Sequence, residues 1–146
     1  MSTYVITGGC GFIGSYVIKE LLKSTATDIF IYNIDKMGVG SSKENIVEDK
    51  RVENHFIDIS NDEHWRLHMS NPLDFINRRI DYVIHLAAES HVDRSIDNPL
   101  SFAYSNLIGT AKVLELVKKH KARLVHVSTD EVYGHLGKDD PPFTEE

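Results

Sequence analysis

A glycine-rich turn near the N-terminus constrains the fold of this chain more than any other stretch. Gly8, Gly11 and Gly14 separate the apolar run Tyr4–Ile6, which has the character of a buried strand, from apolar residues at helical spacing. The first glycine permits a tight turn, and the third lets the helix lie close to the strand. At Gly11 no Cβ stands between the backbone and a phosphate group, and the helix N-terminus offers free N–H groups. The pattern therefore predicts a dinucleotide-binding turn.

Other interpretations of the turn remain open or are excluded by its residues. Short glycine patterns recur by chance, so the turn could serve only to change the direction of the chain. A P-loop is excluded, because no Gly-Lys-Ser/Thr sequence follows the glycines. Cys10 lacks the histidine and asparagine context of a nucleophile, and we interpret it as a small residue that fits the turn. If a dinucleotide binds here, we expect Phe12 and Ile13 to contribute to its site.

The composition is that of a cytoplasmic globular domain. The chain has 146 residues, 41% of them hydrophobic and 26% charged, which suffices for one domain with a real core. A net charge of −6 makes nucleic acid or an anionic membrane an unlikely partner. One cysteine excludes an intrachain disulfide, and no signal peptide or transmembrane segment is recognisable. We therefore expect a cytoplasmic location.

Strands alternate with helices along the chain. This order predicts an α/β fold with a doubly wound parallel sheet of the Rossmann type, right-handed crossovers and the strand order 3-2-1-4-5. Ligand would bind over the C-terminal ends of the strands, at the switch point between the first and fourth. The predicted strands are 4–6, 29–34, 53–57, 82–86 and 124–128.

Three further helices are predicted. Two of them cover 62–70 and 72–78, and a long one opens near Asn98 and Pro99 and continues to His120. The apolar residues predicted to form its buried face are Leu107, Ala111, Leu114 and Val117.

Polar residues cluster where the strands end. Asp35 stands 21 residues past Gly14, where a carboxylate accepts hydrogen bonds from ribose hydroxyls and repels a 2′-phosphate, so NAD is favoured over NADP. Lys36 follows it directly and is included in the predicted cofactor site. Asp58, followed by Ile59, could receive an adenine amino group. The alternative for Asp35 is an exposed strand-end residue, and an ordinary turn aspartate would look the same as Asp58 in the sequence.

Two segments carry a recognisable resemblance. They read HLAAESHVDRS at 85–95 and VSTDEVYG at 127–134, and the segments 7–15, 106–110 and 143–145 fit the same pattern. The chain resembles the dTDP-glucose 4,6-dehydratases, which are extended short-chain dehydrogenases/reductases of the epimerase/dehydratase family. The resemblance implies an NAD-dependent enzyme that forms a 4-keto-6-deoxy sugar from a nucleotide-sugar, with a dTDP-hexose as the expected substrate. Related epimerases usually carry small hydroxyl residues where Asp130 and Glu131 stand.

The resemblance also implies roles for individual residues. Thr129 would hold the C4 oxygen of the hexose, Glu131 would be the base at C5, and Asp130 would be the acid at C6. Two adjacent carboxyl groups in a partly dry pocket repel each other, so we expect one pKa to be raised. Without the family context, the pair reads as a solvated Asp-Glu in a loop. The residues implied to line the cofactor are Leu86, Ala87, Ala88, Ser90, Asn106 and Ser128.

Two departures from the family pattern limit the resemblance. The segment 36–41 differs from the family's usual sequence, and the Tyr-x-x-x-Lys pair that starts hydride transfer is absent where it belongs. Tyr32 and Lys36 match that spacing only formally, because they fall on a predicted strand. We therefore expect residues 1–146 to be an incomplete NAD-binding domain without the substrate-binding domain, inactive alone and homodimeric at full length. The alternatives are a nucleotide-sugar epimerase and a non-catalytic NAD-binding module.

No metal site is predicted. His64 and His68 lie at i and i+4 on a predicted helix, which could place two imidazoles on one face. A third fixed ligand is lacking and the setting is polar, so we interpret the pair as a solvated helix face.

Overall fold

The computed structural model describes residues 1–24, 28–65 and 79–145. The strands are β1 (Ser2–Thr7), β2 (Ile29–Ile34), β3 (Val52–His55), β4 (Tyr82–His85) and β5 (Arg123–His126). The helices are α1 (Phe12–Lys23), α2 (Asp62–Trp65), α3 (Val92–Asp97), α4 (Pro99–Phe102), a π-helical segment (Ala103–Ile108) and α5 (Gly109–His120). Two 3₁₀ turns lie at Lys43–Asn45 and Asp130–Tyr133.

The five strands form one parallel sheet in the order β3-β2-β1-β4-β5, which confirms the predicted topology. β1 lies at the centre and its Tyr4 pairs with Ile31 on one side and Tyr82 on the other. The rings of Tyr4 and Tyr82 stack across this register with centroids 4.8 Å apart. Because all strands run in the same direction, their carboxyl ends meet at one edge of the sheet.

A separate apolar core covers each face of the sheet. Successive residues of a strand point to opposite faces, so Val5 and Ile6 of β1 belong to different cores. Ile6 packs with Ile18 of α1 on one face, and Val5 packs with Val113 of α5 on the other. The near-continuous apolar runs that predicted the strands follow from this burial on both sides.

The long helix begins at Pro99 as predicted, and the side chain of Asn98 caps it by accepting a hydrogen bond from the N–H of Ser101 at 3.3 Å. The predicted buried face is wrong for most of its residues. The side that packs on the sheet carries Gly109, Val113 and Leu116, together with a half-buried Val117. The predicted residues Leu107, Ala111 and Leu114 are exposed on the other side.

The reason is that this helix is apolar on two sides, so its periodicity does not determine which side meets the sheet. Gly109 decides the orientation, because a Cβ there would lie 2.8 Å from the side chain of Ile59. The helix therefore approaches the sheet at its least bulky residue. The π-helical segment precedes this contact and continues directly into α5.

The remaining predictions are met in part. β3 ends at His55, two residues before the predicted end, and β4 and β5 also end slightly early. The predicted helix 62–70 is described only as far as Trp65, and the predicted helix 72–78 lies outside the described residues. α3 and the 3₁₀ turn at Asp130–Tyr133 were not predicted as helical. Among the described helices, none has both the length and the apolar character needed to cross a membrane.

Candidate functional site

A cleft of about 400 Å³ opens at the carboxyl edge of the sheet, above the switch point between β1 and β4. It is lined by residues that follow all five strands, so the topology brings together side chains distant in sequence. Most of the predicted site residues line it. They are Gly8, Gly11, Phe12, Ile13, Gly14, Asp35, Lys36, Ile59, Leu86, Ala87, Ala88, Ser90, Ser128 and Thr129.

The floor of the cleft is a backbone cradle that two glycines make possible. Gly8 has a φ of +77°, and a Cβ there would lie 2.8 Å from the backbone nitrogen of Ala87. A Cβ at Gly14 would lie 2.2 Å from the carbonyl oxygen of Gly8. Side chains at either position would fill the cradle or push the tips of β1, α1 and β4 apart. This bare backbone suits the approach of a pyrophosphate.

Gly11 differs from the other two glycines because the fold does not demand it. Its φ of −75° is open to any residue, and a Cβ would meet the Gly8 carbonyl oxygen at 3.2 Å and the Gly40 carbonyl oxygen at 3.9 Å. Gly11 is the N-cap residue of α1, and no side chain caps this helix end. The N–H groups of the first turn therefore face the cleft without a side-chain acceptor, which is the arrangement that binds anions.

Asp35 lies at the end of β2 and is 5% exposed. Its Oδ2 accepts a hydrogen bond from the N–H of Cys10 at 2.9 Å. Its Oδ1 accepts from the N–H of Met37 and from the hydroxyl of Ser41, both at 2.8 Å. The carboxylate thus ties the glycine turn to the loop after β2. A carboxylate has about four acceptor positions, so one remains for a ribose hydroxyl.

Cys10 is fully buried beneath the glycine turn. Burial raises the pKa of its thiol, and the nearby carboxylate of Asp35 raises it further. The thiol is therefore held in its protonated form, which agrees with a packing role rather than that of a nucleophile.

Two predicted cofactor residues do not line the cleft. Oδ1 of Asp58 accepts two hydrogen bonds from Ser60, one from its N–H at 2.8 Å and one from its hydroxyl at 2.7 Å, as a turn aspartate does. Asn106 instead holds a loop, since its Oδ1 accepts from the N–H of Glu89 at 2.8 Å and its Nδ2 donates to the carbonyl of Glu89 at 2.9 Å. The contacts of Asp58 are those of the turn residue considered as its alternative, and those of Asn106 join the long helix to the loop after β4.

Glu89 is the most important cleft residue that the sequence prediction missed. Its carboxylate is 7% exposed and lies 2.9 Å from the Lys36 ammonium and 3.4 Å from the Arg94 guanidinium. The Lys36 ammonium also donates to the hydroxyl of Ser105 at 3.4 Å. Glu89 stands between the predicted residues Ala88 and Ser90, and this position was the one signal that could have identified it. His91 and the segment 38–41 line the cleft as well.

The predicted catalytic residues follow β5. Thr129 lines the cleft, whereas Asp130 and Glu131 begin the 3₁₀ turn and are exposed. The expected partly dry pocket around the two carboxyl groups is therefore not formed by the described residues. The reason is that β5 is an edge strand in this part of the chain, and its tip is covered on one side only.

Two other constellations were considered from the sequence, His64 with His68 and Tyr32 with Lys36. His64 accepts a hydrogen bond from the N–H of Asp58 at 3.3 Å through its Nδ1, and His68 lies outside the described residues. Within 1–24, 28–65 and 79–145, no three potential metal-binding side chains cluster. Tyr32 is buried in the core while Lys36 projects to Glu89, so these two residues do not form a catalytic pair.

Comparison with known proteins identifies the family. The sequence pattern of the family described as GDP-mannose 4,6 dehydratase matches residues 5–146. The chain belongs to this family. Among relatives, it is 37% identical over 158 residues to a dTDP-glucose 4,6-dehydratase of Neisseria meningitidis, and the match covers 99% of this chain and 42% of the relative.

Solved structures agree with this membership. A dTDP-glucose 4,6-dehydratase from Bacillus anthracis in complex with NAD is 34% identical with a TM-score of 0.77, and the match covers 100% of this chain and 43% of that one. A UDP-glucose 4-epimerase from Thermotoga maritima with UDP-glucose is 28% identical with the same TM-score, and the match covers 96% and 42%. This family member therefore spans less than half the length of the proteins it matches and corresponds to their N-terminal, nucleotide-binding portion.

Proposed function

We propose that the chain binds NAD in the switch-point cleft and forms the cofactor-binding part of a cytoplasmic nucleotide-sugar 4,6-dehydratase that acts on a dTDP-hexose. The observation that carries this proposal is the cradle at Gly8 and Gly14, which leaves bare backbone beneath an uncapped helix N-terminus. Asp35 at the end of β2 lies where an NAD ribose would be held. The dehydratase relatives and the NAD complex of the Bacillus anthracis enzyme support the same assignment.

The reaction would divide between the two ends of the cleft. Bound NAD would supply the acceptor, and later the donor, of a hydride. The proton of the C4 hydroxyl would pass to the tyrosine of the family's Tyr-x-x-x-Lys pair, which residues 1–146 do not supply where it belongs. The hydroxyl of Thr129 would hold the C4 oxygen of the hexose, and the Glu131 carboxylate would take the proton from C5. Asp130 would deliver a proton to the hydroxyl that leaves C6. The neighbouring positions of Asp130 and Glu131 suit an elimination across two adjacent carbons.

A titration with NADH tests the proposed cofactor site. We expect Gly11→Val to weaken NADH binding by about tenfold or more, because the branched side chain would stand where the pyrophosphate approaches. Its φ of −75° permits the substitution, so the variant should melt close to the parent. A matched control is Ala111→Val, which adds a branched side chain at an exposed residue outside the cleft and should leave NADH affinity at the parent value. Equal NADH affinity of a folded Gly11→Val and the parent would count against the site.

The second candidate is a non-catalytic NAD-binding module. It is favoured by the exposure of Asp130 and Glu131, since carboxyl groups in contact with solvent are poorly placed for proton transfer in a dry site. Both candidates predict NADH binding by the 146-residue chain and no 4-keto-6-deoxy product from dTDP-glucose. Product formation by the purified chain would show that these residues suffice for turnover and would exclude the module.

We further propose that the protein pairs with a second copy through the long helix. An apolar stripe on its outer side is exposed and consists of Leu100, Tyr104, Leu107 and Leu114. Exposed apolar stripes of this kind usually mark contact surfaces. Sedimentation should show a dimer that Leu107→Glu weakens and Phe56→Glu, an exposed residue outside the stripe, leaves intact. A monomeric parent at high protein concentration would contradict this proposal.

A further inference from the structure

Lys36 occupies a position where a cation would change the choice of cofactor. It follows Asp35 directly, and both residues line the cleft at the end of β2. A basic residue near the ribose carboxylate is the device that accommodates the 2′-phosphate of NADP. The sequence by itself therefore gives conflicting predictions of cofactor choice, because Asp35 repels a 2′-phosphate and favours NAD, while Lys36 would attract it and favour NADP.

The structure resolves this conflict, because the Lys36 ammonium is already engaged by groups on the opposite wall of the cleft. Its Nζ lies 2.9 Å from Oε1 of Glu89, which follows β4, and 3.4 Å from the hydroxyl of Ser105 in the π-helical segment. The methylene chain of Lys36 passes close to Gly38, where a Cβ would lie 2.9 Å from Lys36 Cε. The side chain thus extends across the cleft rather than remaining beside Asp35.

Glu89 is well suited to hold this ammonium. The carboxylate is 7% exposed, so the ion pair is shielded from water much better than a surface pair. The backbone N–H and C=O of Glu89 are both hydrogen-bonded to the side-chain amide of Asn106. The Arg94 guanidinium, 3.4 Å from the other carboxylate oxygen, further fixes the carboxylate. Removing Glu89 would leave Lys36 without its charged partner.

We propose that Glu89 disfavours NADP by holding the Lys36 ammonium away from the adenosine ribose. This inference rests on the proposed NAD site and adds a second specificity residue to Asp35. The 2′-phosphate carries close to two negative charges. In the parent it would meet the Asp35 carboxylate with no free cation from Lys36, whereas release of Lys36 would supply a charge-assisted partner.

The test is a fluorescence titration of the 146-residue chain with NADH and NADPH. For Glu89→Gln, which keeps the shape of the side chain and removes its charge, we expect NADPH affinity to rise about tenfold. NADH lacks the 2′-phosphate and serves as the reference ligand, so the gain is read as the ratio of NADPH affinity to NADH affinity. Glu115→Gln on α5 is the matched control: it removes the same charge from an exposed residue and should leave NADPH affinity at the parent value.

A double variant separates Lys36 from the other cation. Lys36→Met combined with Glu89→Gln should lose the gain in NADPH affinity, whereas a gain that persisted would arise from Arg94 and overturn the inference. If Glu89→Gln melts well below the parent, Glu89→Asp retains the charge with a shorter reach and should give a smaller gain, about threefold. No gain with a folded Glu89→Asp would likewise overturn it.

The outcomes distinguish this inference from the proposed function. A parent that binds neither dinucleotide overturns the NAD site itself, and the inference with it. A parent that binds NADH, together with a folded Glu89→Gln whose NADPH affinity is unchanged, overturns only the role of Glu89. A parent that already prefers NADPH also overturns the role of Glu89, because Lys36 would then act despite its ion pair.

Discussion

Nδ1 of His85 lies 2.6 Å from the hydroxyl oxygen of Thr7, and this contact fixes the protonation of a fully buried imidazole. The Thr7 hydroxyl oxygen already accepts hydrogen bonds from the N–H of Leu86 at 3.3 Å and from the N–H of Ala87 at 3.2 Å. Its proton therefore points to Nδ1, so Nε2 carries the ring hydrogen and donates to the hydroxyl of Thr110 at 3.0 Å. Neutral His85 thus links the tips of β1 and β4 to the long helix.

This arrangement predicts a loss of stability in mild acid. Burial, with a smaller contribution from the neighbouring His126, lowers the pKa of His85 to about 4, against 6.5 for the unfolded chain. Because the unfolded state binds the proton more readily, the stabilisation is complete above pH 6.5 and is lost as the pH falls toward 4. We expect the free energy of unfolding to drop by about 2 kcal/mol between pH 7 and pH 5 from this group.

Urea unfolding at the two pH values measures this effect. His85→Gln is the reference, because its amide does not titrate and the other groups of the chain change equally in both proteins. The parent should lose more stability than the variant over this interval. Equal losses would show that His85 accepts a proton in the folded state near its usual pKa.

Gly14→Ala should destabilise the fold far more than Gly11→Ala. A methyl group at residue 14 would overlap the Gly8 carbonyl, with a separation of 2.2 Å, whereas at residue 11 the nearest atom is 3.2 Å away. Overpacking against backbone typically costs about 3 kcal/mol, and the milder contact about 1 kcal/mol or less. Thermal melting of the two variants provides the comparison, and similar melting temperatures would mean that α1 can shift away from β1.

Asp35→Asn should weaken NADH binding by about tenfold, since it removes the charge that accepts ribose hydroxyl groups. The same carboxylate also holds the loop after β2, so part of any loss could come from the loop. Ser41→Ala removes one of these loop contacts without touching the carboxylate and is the appropriate control. A fall in affinity of the same size in both variants would assign the effect to the loop.

Asn106→Ala should lower the free energy of unfolding by about 2 kcal/mol, because it leaves both polar groups of the Glu89 peptide without their partner. It should also loosen the Lys36 ion pair and reduce selectivity against NADPH in a titration. Asn98→Ala, which removes a helix cap outside the cleft, is a control for stability loss alone. An Asn106→Ala variant with parental selectivity would separate the loop from cofactor choice.

The sheet and most of the cleft lining could be predicted because local patterns encode them. Apolar runs of strand length placed β1 and β4, and the parallel topology then brought their polar termini to one edge. The need for glycine at residue 14 likewise reflects contacts with Gly8 and Gly9, near neighbours in sequence, which a motif records well.

The features that could not be predicted depend on which of several partners a residue meets across the fold. The long helix is apolar on two sides, and the contact of Gly109 with Ile59, fifty residues earlier, selects one of them. The pairing of Lys36 with Glu89 spans a similar distance and leaves no periodic signal. The hydrogen bonds of Asn106 to the backbone of Glu89, 17 residues earlier, likewise leave no signal in the sequence.

The position of β1 and β5 in the sheet gives the two ends of the cleft different resistance to local opening. β1 is flanked by strands on both sides, whereas β5 is the outermost strand of the described sheet. Amide hydrogens of β1 should therefore exchange with deuterium only through global unfolding, while those of β5 exchange through partial fraying. The glycine turn thus follows the strand expected to exchange most slowly, and Thr129 follows an edge strand expected to fray more readily.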